Sequence, residues 1–586
     1  MQRSFSYTLD VTIPLHMDNE RVEQWLWQSG FAMSHVARPS TPDAKAGAAL
    51  CFLTYWQYFY QSMLLEVGVP LFVAPTITVL ARPSDTRYQL SVSVPELSGH
   101  YALYQAALQP SIALLQQFAA LPYSDQTFNV LAKQAGETLY QPLKAASLSG
   151  ISTIPLMRQA WLRNVPIQHL GMGIFQLGQG AKRHLLRKSS TEQDSVMGLL
   201  LSESKLNSAS LFRSLGLPSA EHKMVQSIEQ AHQAAESMGY PLVVKPEHGN
   251  RSEGITLDVL NPAELNTAFM YAQTISQQVL IEKQVNGLSY RLFVYQGELL
   301  YVHCNQPRCV IGDGASTIRQ LLEQDAQVQR QRLPWQRYPE IPLDQETLTC
   351  LTKQSYTLED CPEKGANVFV RKVASTQWGA AEREGTPLEH VHPENRRLAL
   401  RVAKATALTT AGVDLIISDI SRPWYEQASL ITEVNYAPMM GVSEVSRLAT
   451  PRLIERLFDG GNGRIPIDVF MGDEQALEQA ITRLKDYQDQ GVKAYLTSHQ
   501  QTLDSVGDAF HLPFETLQER SKALLRHVGV EALILVVQTD EVLRVGAPVD
   551  QINSLTVSNA NVSGAVESVQ RVYQALLNRK GTDSDA

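Results

Sequence analysis

Apolar positions change their spacing several times along this chain, and each change predicts an element. Tyr7 to Ile13 alternates and predicts a strand, while Asn19 to Gly30 has helical spacing. Leu90 to Val94 (Leu-Ser-Val-Ser-Val) alternates strictly, as on a half-exposed strand, and Tyr101 to Ala120 is helical again. From Ser152 the pattern turns α/β. Helices are predicted at Ser152–Asn164, Ser204–Gly216, Ile228–Met238 and Asn395–Leu408. Strands are predicted at Val165–Leu170, Tyr240–Lys245, Ile255–Val259, Val279–Glu282, Arg291–Val294, Leu299–Val302, Val413–Asp419 and Leu430–Asn435. After Arg464 a new α/β pattern holds helix Glu474–Gln490 and strands Lys493–Leu496 and Ala532–Val537. No period of the kind that marks a solenoid is present.

At 586 residues the chain is expected to hold about three to five domains. Hydrophobic residues make up 44% and charged residues 19%, which excludes a disordered chain or a fibre. The net charge of −9 argues against a general nucleic-acid binder, yet leaves room for a local basic pocket. Five cysteines, none in a Cys-x-x-Cys pair, predict a reducing compartment rather than a disulfide framework. With no signal-like start and no apolar run long enough to span a bilayer, the expectation is a cytoplasmic protein. His390 and His392 have no Cys or acidic neighbour at metal spacing, and no G-x-S-x-G elbow occurs.

Three segments concentrate chemistry. Pro241 to Val259 reads as a hairpin in which a buried strand ends at Lys245 and a loop with Gly249 and Gly254 follows. Glycines permit close backbone approach, N–H groups bind anions, and a lysine adds a point charge for phosphate. It is not a Walker A loop, because Gly-Lys-Ser/Thr and the following helix are absent. In the second segment, Ile281 to Leu292, a strand turns at Gly287 and returns bearing Arg291. Residues after Glu282 could read a planar base through backbone groups, and Arg291 could meet a phosphoryl group. The third carries Asp414, Glu433 and Asn435. Glu433 and Asn435 are two apart on one strand and share a face, and Asp414 lies on the preceding strand. Two carboxylates and an amide oxygen suit Mg²⁺. Each segment alone also fits an ordinary hairpin, loop or half-exposed strand.

The order of the three, phosphate loop, base hinge and metal face, resembles an ATP-grasp enzyme. A closer resemblance is to the ATP-grasp half of cyanophycin synthetase over residues 150–467. It rests on Ser152-Thr-Ile-Pro-Leu, Arg163-Asn-Val-Pro-Ile-Gln-His-Leu-Gly, Val244-Lys-Pro-Glu-His-Gly-Asn, Val310-Ile-Gly-Asp-Gly-Ala-Ser-Thr-Ile, His392-Pro-Glu-Asn, Gly412-Val-Asp and Glu433-Val-Asn-Tyr-Ala-Pro. The resemblance implies an α/β multidomain fold and an ATP-dependent carboxylate–amine ligase acting through an acyl phosphate. It implies ATP and Mg²⁺ as cofactors and small amino acid or peptide substrates, with no nucleic acid and no membrane; a homo-oligomer stays open. Carried over residue by residue, Lys205 and Lys245 contact phosphates. Gly249, Asn250, Ser252 and Gly254 belong to a lid, and Glu282, Lys283 and Val285 to an adenine hinge. Arg291 and Arg371 contact the phosphoryl group or substrate. Asp414, Glu433 and Asn435 hold Mg²⁺, with Asp419 as the alternative first ligand.

The departures fall mainly on the substrate side. Ser252 stands for a lid glycine, Ser289 for an acidic residue and Met439 for a glycine, and Trp378 for a small residue within Val373-Ala-Ser-Thr-Gln-Trp-Gly. The family continues into a Mur-ligase-like half with a P-loop. Here Asp468-Val-Phe-Met-Gly-Asp-Glu-Gln lacks Gly-Lys-Thr/Ser, so a shortened remnant without nucleotide chemistry is expected. The expected domains are 1–150, an α+β docking module; 151–467, ATP-grasp; and 468–586, the Mur-like remnant. Two other readings stay open: a non-catalytic nucleotide-binding sensor, and a polymer-elongating synthetase.

Overall fold

A computed structural model describes residues 4–14, 18–28, 47–95, 101–121, 124–147, 150, 152–249, 253–331, 338, 340–371, 381–441, 443–558 and 566–577. The chain forms two compact units: Met1–Arg187 together with Ile454–Ala586, and Lys188–Leu453. The mixed α/β architecture expected from the sequence is observed in both. Among the described residues no helix is long and apolar enough to cross a membrane.

In the first unit, Ser4–Thr12, Arg87–Pro95 and Thr76–Ala81 form a three-stranded antiparallel sheet with Arg87–Pro95 central. The strict alternation seen in the sequence decides its two faces: Leu90, Val92 and Val94 are buried. They join a core with Trp25, Trp56, Phe59 and Leu115. The helix Tyr101–Ala120 matches its predicted span. The helix Ala48–Glu66 has no expectation behind it. It buries residues on every side (Cys51, Phe52, Tyr55, Trp56, Tyr58 to Leu65), so it lacks the polar stripe that reveals a helix by period.

The same unit holds a second sheet, ordered Thr502–Leu503, Ala494–Thr497, Ala532–Val537, Ile467–Met471, Ser554–Val557. Its last four strands are parallel. Val469, Leu533 and Leu535 pack on one face with Leu524 and Tyr573; Phe470, Ile534 and Val536 pack on the other with Ala480 and Leu484. Covering both faces makes Ala532–Val537 apolar throughout rather than alternating. Only Gly472 and Asp473 separate strand Ile467–Met471 from helix Glu474–Asp489, and the Asp473 carboxylate caps that helix by accepting from Gln475 N at 3.1 Å. A two-residue connection leaves no phosphate-cradling loop.

The glycine run near residue 178 has a packing cause. Gly180 sits at φ 52°, and a Cβ there would strike the Val530 carbonyl oxygen and Ile465. The short strands Ile167–Gly171, Ile174–Leu177 and His184–Arg187 pair antiparallel beside it.

The second unit is built on two antiparallel sheets. One is ordered Thr256–Val259, Leu242–Pro246, Val279–Lys283, Lys223–Val225. The helices Ile228–Met238 and Pro262–Gln273 close its core. Both helices begin where the sequence allows: Ser227 accepts from Gln230 N, and Asn261 accepts from Glu264 N while Glu264 accepts from Leu260 N at 2.8 Å. The other sheet is ordered Ala381–Thr386, Glu298–Pro307, Leu288–Tyr295, Thr410–Ile417, Ser429–Tyr436. The predicted hairpins at Lys245 and at Asp414–Glu433 are therefore both present. An unpredicted piece follows Glu298–Pro307: strands Cys309–Ile311 and Asn367–Phe369 with helices Ile318–Gln331 and Gln345–Lys353 around Val310, Leu351 and Val368.

Gly180→Ala should destabilise the protein by about 1–3 kcal/mol, because a backbone carbonyl rather than a movable side chain blocks the new methyl. Comparing urea midpoints of the two proteins checks this; an unchanged midpoint contradicts the packing argument.

Candidate functional site

Strand register brings the predicted residues of the second unit together. On the five-stranded sheet Arg291 lies opposite Asp414, and Asp414 lies opposite Glu433. Three charged side chains thus stand in one row across three strands, on one face. Arg291 donates to both Asp414 oxygens, Nη2 to Oδ2 at 2.7 Å. Asn435, two residues from Glu433, donates Nδ2 to Glu433 Oε1 at 3.0 Å and to Asp414 Oδ2 at 3.2 Å. Gly412 makes room for this row: a Cβ there would press on Pro438 and the Arg291 Cδ.

Burial pushes the Asp414 carboxyl up to about 7, with Glu433 adding to the rise and Arg291 opposing it. Glu433 moves the other way. Its burial is outweighed by the bond from Asp414 and by Arg291, Asn435 and Lys205. A buried and a half-buried carboxylate face each other with one guanidinium beside Asp414, a set whose chemistry suits a cation. A hard ion such as Mg²⁺ fits two carboxylates plus the Asn435 amide oxygen, once that amide turns its oxygen inward. Among the described residues no group of three or more His, Cys, Asp or Glu side chains gathers, so this set of two acids and one amide is the candidate.

The four-stranded sheet supplies the second half. Lys245 pairs with Leu280, and Glu282, two residues on, shares that face. Lys245 Nζ donates to Glu282 Oε2 at 2.9 Å. His222 precedes Lys223, which pairs with Ile281, so it falls opposite Glu282; its Nε2 lies 2.7 Å from the same oxygen. All three are buried. Burial raises the Glu282 carboxyl, but Lys245 and His222 together outweigh it and hold it at about 2.

Lys205 opens helix Lys205–Ser214 and donates Nζ to the carbonyls of Glu247 and Gly249, both at 3.2 Å. The buried Glu247 carboxylate accepts from Ser204 Oγ at 2.7 Å and from Leu206 N, so it fixes the helix start against the strand bearing Lys245. Burial lowers the Lys205 ammonium, and Glu433 is the largest charge acting against that drop, with Lys245, Glu247 and Glu282 also in reach. Lys205 therefore joins the two halves electrostatically.

Several expected residues behave differently. Glu282 was expected in a base-reading hinge; its side chain instead points inward as the counter-ion of Lys245. Lys283 Nζ is bound to the carbonyls of Gly239 and Tyr240 at 3.0 and 2.7 Å. Val285 is half-buried beyond the strand end. The structure does not bring Arg371 to this set. Its guanidinium is 1% exposed and binds Asp344 Oδ1 and Glu346 Oε2, both at 2.8 Å, bracing the start of helix Gln345–Lys353. Two carboxylates at the start of that helix, Asp344 as its N-cap and Glu346 in its first turn, bind the terminal nitrogens of Arg371. Asp419 sits in an exposed turn and accepts from Ser421 N and Oγ at 2.8 and 2.6 Å, so Asp414 is the acid that faces Glu433. Gly249 and Gly254 flank the loop; Asn250, Ser252 and the run Val373 to Gly379 with Trp378 lie outside the described residues. Sequence reasoning missed His222 and Glu247. Glu247 had a signal, a cap-type serine at Ser204 needing a nearby acceptor; His222 had none.

Residues 211–306 match the family model described as D-ala D-ala ligase C-terminus. Cyanophycin synthetase from Trichormus variabilis is 31% identical over 327 residues, 54% of this chain and 36% of that protein. Over that stretch the chain is similar in sequence to cyanophycin synthetase. It spans about a third of the length of the curated relatives it matches. A glutathione biosynthesis bifunctional protein from Mannheimia succiniciproducens is 28% identical over 265 residues, 43% of this chain and 34% of that one. A solved bifunctional glutathione synthetase from Pasteurella multocida overlaps 75% of this chain and 77% of its own, at 17% identity and a TM-score of 0.41.

Because Glu282 is held below the usual carboxylate range, its contribution to stability is present above about pH 4.5. It is lost as pH falls toward 2, where the folded-state group takes up its proton. Glu282→Gln should destabilise the protein at pH 7 by about 3 kcal/mol, leaving Lys245 buried without its counter-ion. The gap between wild type and variant should narrow as pH drops from 4.5 toward 2. Denaturant melts across that window check both; a gap that stays constant with pH contradicts the ion-pair origin.

Proposed function

We propose that the chain is an ATP-dependent carboxylate–amine ligase that joins amino acids or short peptides, releasing ADP and phosphate. The supporting observation is the convergence, within one compact unit, of Lys205, Lys245, Arg291, Asp414, Glu433 and Asn435 from five separate elements. On this reading residues 151–467 are catalytic, 1–150 are a docking module, and 468–586 take no part in nucleotide chemistry.

The reaction has two transfers. A substrate carboxylate oxygen bonds the γ-phosphorus of ATP while the bond to ADP breaks. The amine nitrogen then bonds the acyl carbon as the C–O bond to phosphate breaks, and phosphate leaves with the electron pair and takes up the proton that the nitrogen releases. Lys205 is the cation best placed to gain from an incoming phosphate. Its protonated form, disfavoured by burial, recovers a counter-charge when phosphate arrives. Lys245 is held in place by Glu282, so its ammonium is oriented before the nucleotide binds. Arg291 presents a guanidinium beside the acids, where charge develops on the transferring group. Asp414, Glu433 and Asn435 would hold Mg²⁺, which when bound neutralises phosphoryl oxygens. The loop 249–254, anchored at Gly249 by Lys205, would exclude water from the acyl phosphate.

Purified full-length protein given ATP, Mg²⁺ and pairs of amino acids should release ADP together with a condensation product visible by mass spectrometry. Nucleotide binding without ADP release under any pair would favour the sensor reading, and a ladder of products would favour elongation. Glu433→Ala should lower kcat by at least about a hundredfold, corresponding to roughly 2.7 kcal/mol. Arg371→Met should lower thermal stability while leaving the KM for ATP within about twofold, and a large rise in that KM would restore Arg371 to the site.

A further inference from the structure

Lys205 and Lys245 come from different elements, a helix start and a strand, and one residue ties those elements together. Glu247 lies just past the strand Leu242–Pro246 that carries Lys245, and it is 3% exposed. Its backbone N donates to the Gln278 carbonyl at 2.9 Å, which fixes it to the sheet. Its carboxylate is taken up by the start of helix Lys205–Ser214. Oε1 accepts from Ser204 Oγ at 2.7 Å, and Leu206 N reaches Oε2 at 3.3 Å and Oε1 at 3.4 Å. Ser204 is the cap of that helix. Its Oγ accepts from Asn207 N at 3.1 Å, and a hydroxyl has one proton to give, so that proton goes to Glu247. A carboxylate at a helix N-terminus also meets the positive end of the helix dipole.

The backbone of the same residue holds the lysine. Lys205 Nζ donates to the Glu247 and Gly249 carbonyls, both at 3.2 Å. Both partners are neutral, and among the described residues no carboxylate lies within ion-pair distance of Lys205 Nζ. Its ammonium is thus oriented without its charge being cancelled, whereas Lys245 is paired with Glu282. Burial lowers the Lys205 ammonium, and the charge of Lys245 acts in the same direction, so keeping the two lysines near each other requires an outside hold. Both carbonyls survive any substitution at 247, so the Glu247 side chain can act on Lys205 only through the helix start that it clamps. We propose that Glu247 is a positioning residue for the nucleotide: its carboxylate locks the helix start to the Lys245 strand and so holds Lys205 where it and Lys245 meet one polyphosphate. The inference rests on the ATP reading given above and adds to it a residue that touches neither nucleotide nor metal.

The test is calorimetric titration of the full-length protein with MgATP and, separately, with adenosine. Glu247→Ala should weaken MgATP binding by at least about tenfold, because Lys205 loses its fixed position. Adenosine, which has no phosphate, should bind the variant and the wild type alike. Glu247→Gln keeps an acceptor oxygen for Ser204 Oγ and should restore most of the MgATP affinity. Ser204→Ala removes the same clamp from the helix side and should weaken MgATP as well; the double variant should be little worse than Glu247→Ala alone, because the two side chains act as one unit. Equal MgATP affinity of wild type and Glu247→Ala overturns the proposal. A loss that extends equally to adenosine overturns it too, since the side chain would then support the fold rather than place a lysine. Failure of the wild type to bind MgATP at all overturns the ATP reading itself and, with it, the proposal.

Discussion

Arg291, Asp414 and Glu433 are buried or half-buried charges that cannot be understood one at a time. Removing any of them from water costs several kcal/mol unless the others stand beside it, and they do so because antiparallel register sets them opposite one another on three neighbouring strands. One guanidinium against two carboxylates leaves the row short of positive charge. Burial is the main cause of the rise of Asp414 toward neutrality, and Glu433 adds to it. The missing glycine side chain at Gly412, the shared face of Glu433 and Asn435 and the reach of Lys205 all follow from, or serve, this one row.

The lysines obey a related constraint. Each is half-buried or buried, and each is tied to an acidic residue: Lys245 to the Glu282 carboxylate, with His222 on its far side, and Lys205 to the backbone of Glu247, whose carboxylate caps the helix that carries it. Such pairing orients an ammonium without letting it collapse onto the nearest solvent.

Most strands and hairpins were legible because their apolar positions repeat at two or run unbroken, and the shared face of Glu433 and Asn435 was legible because they differ by two on such a strand. The failures have physical causes. Helix Ala48–Glu66 is buried all round, so no amphipathic period marks it. Glu282 reads as a solvated turn residue beside Lys283; only the neighbouring strand, 37 residues earlier, shows that it faces a lysine. Arg371 was expected among the phosphoryl contacts, yet it is consumed by Asp344 and Glu346, whose helix had no expectation behind it.

By itself the sequence determined the α/β alternation and the two hairpins, because these depend on local period, and it offered candidates for phosphate and cation contacts from side-chain chemistry alone. Tertiary structure decided which of those residues meet. It placed Asp414 rather than Asp419 opposite Glu433, turned Glu282 toward Lys245, paired Arg371 with Asp344 and Glu346, and set His222 and Glu247 beside the lysines. Charge pairing in a buried site is a property of distance across strands and helices far apart in the chain, and no local pattern encodes that distance.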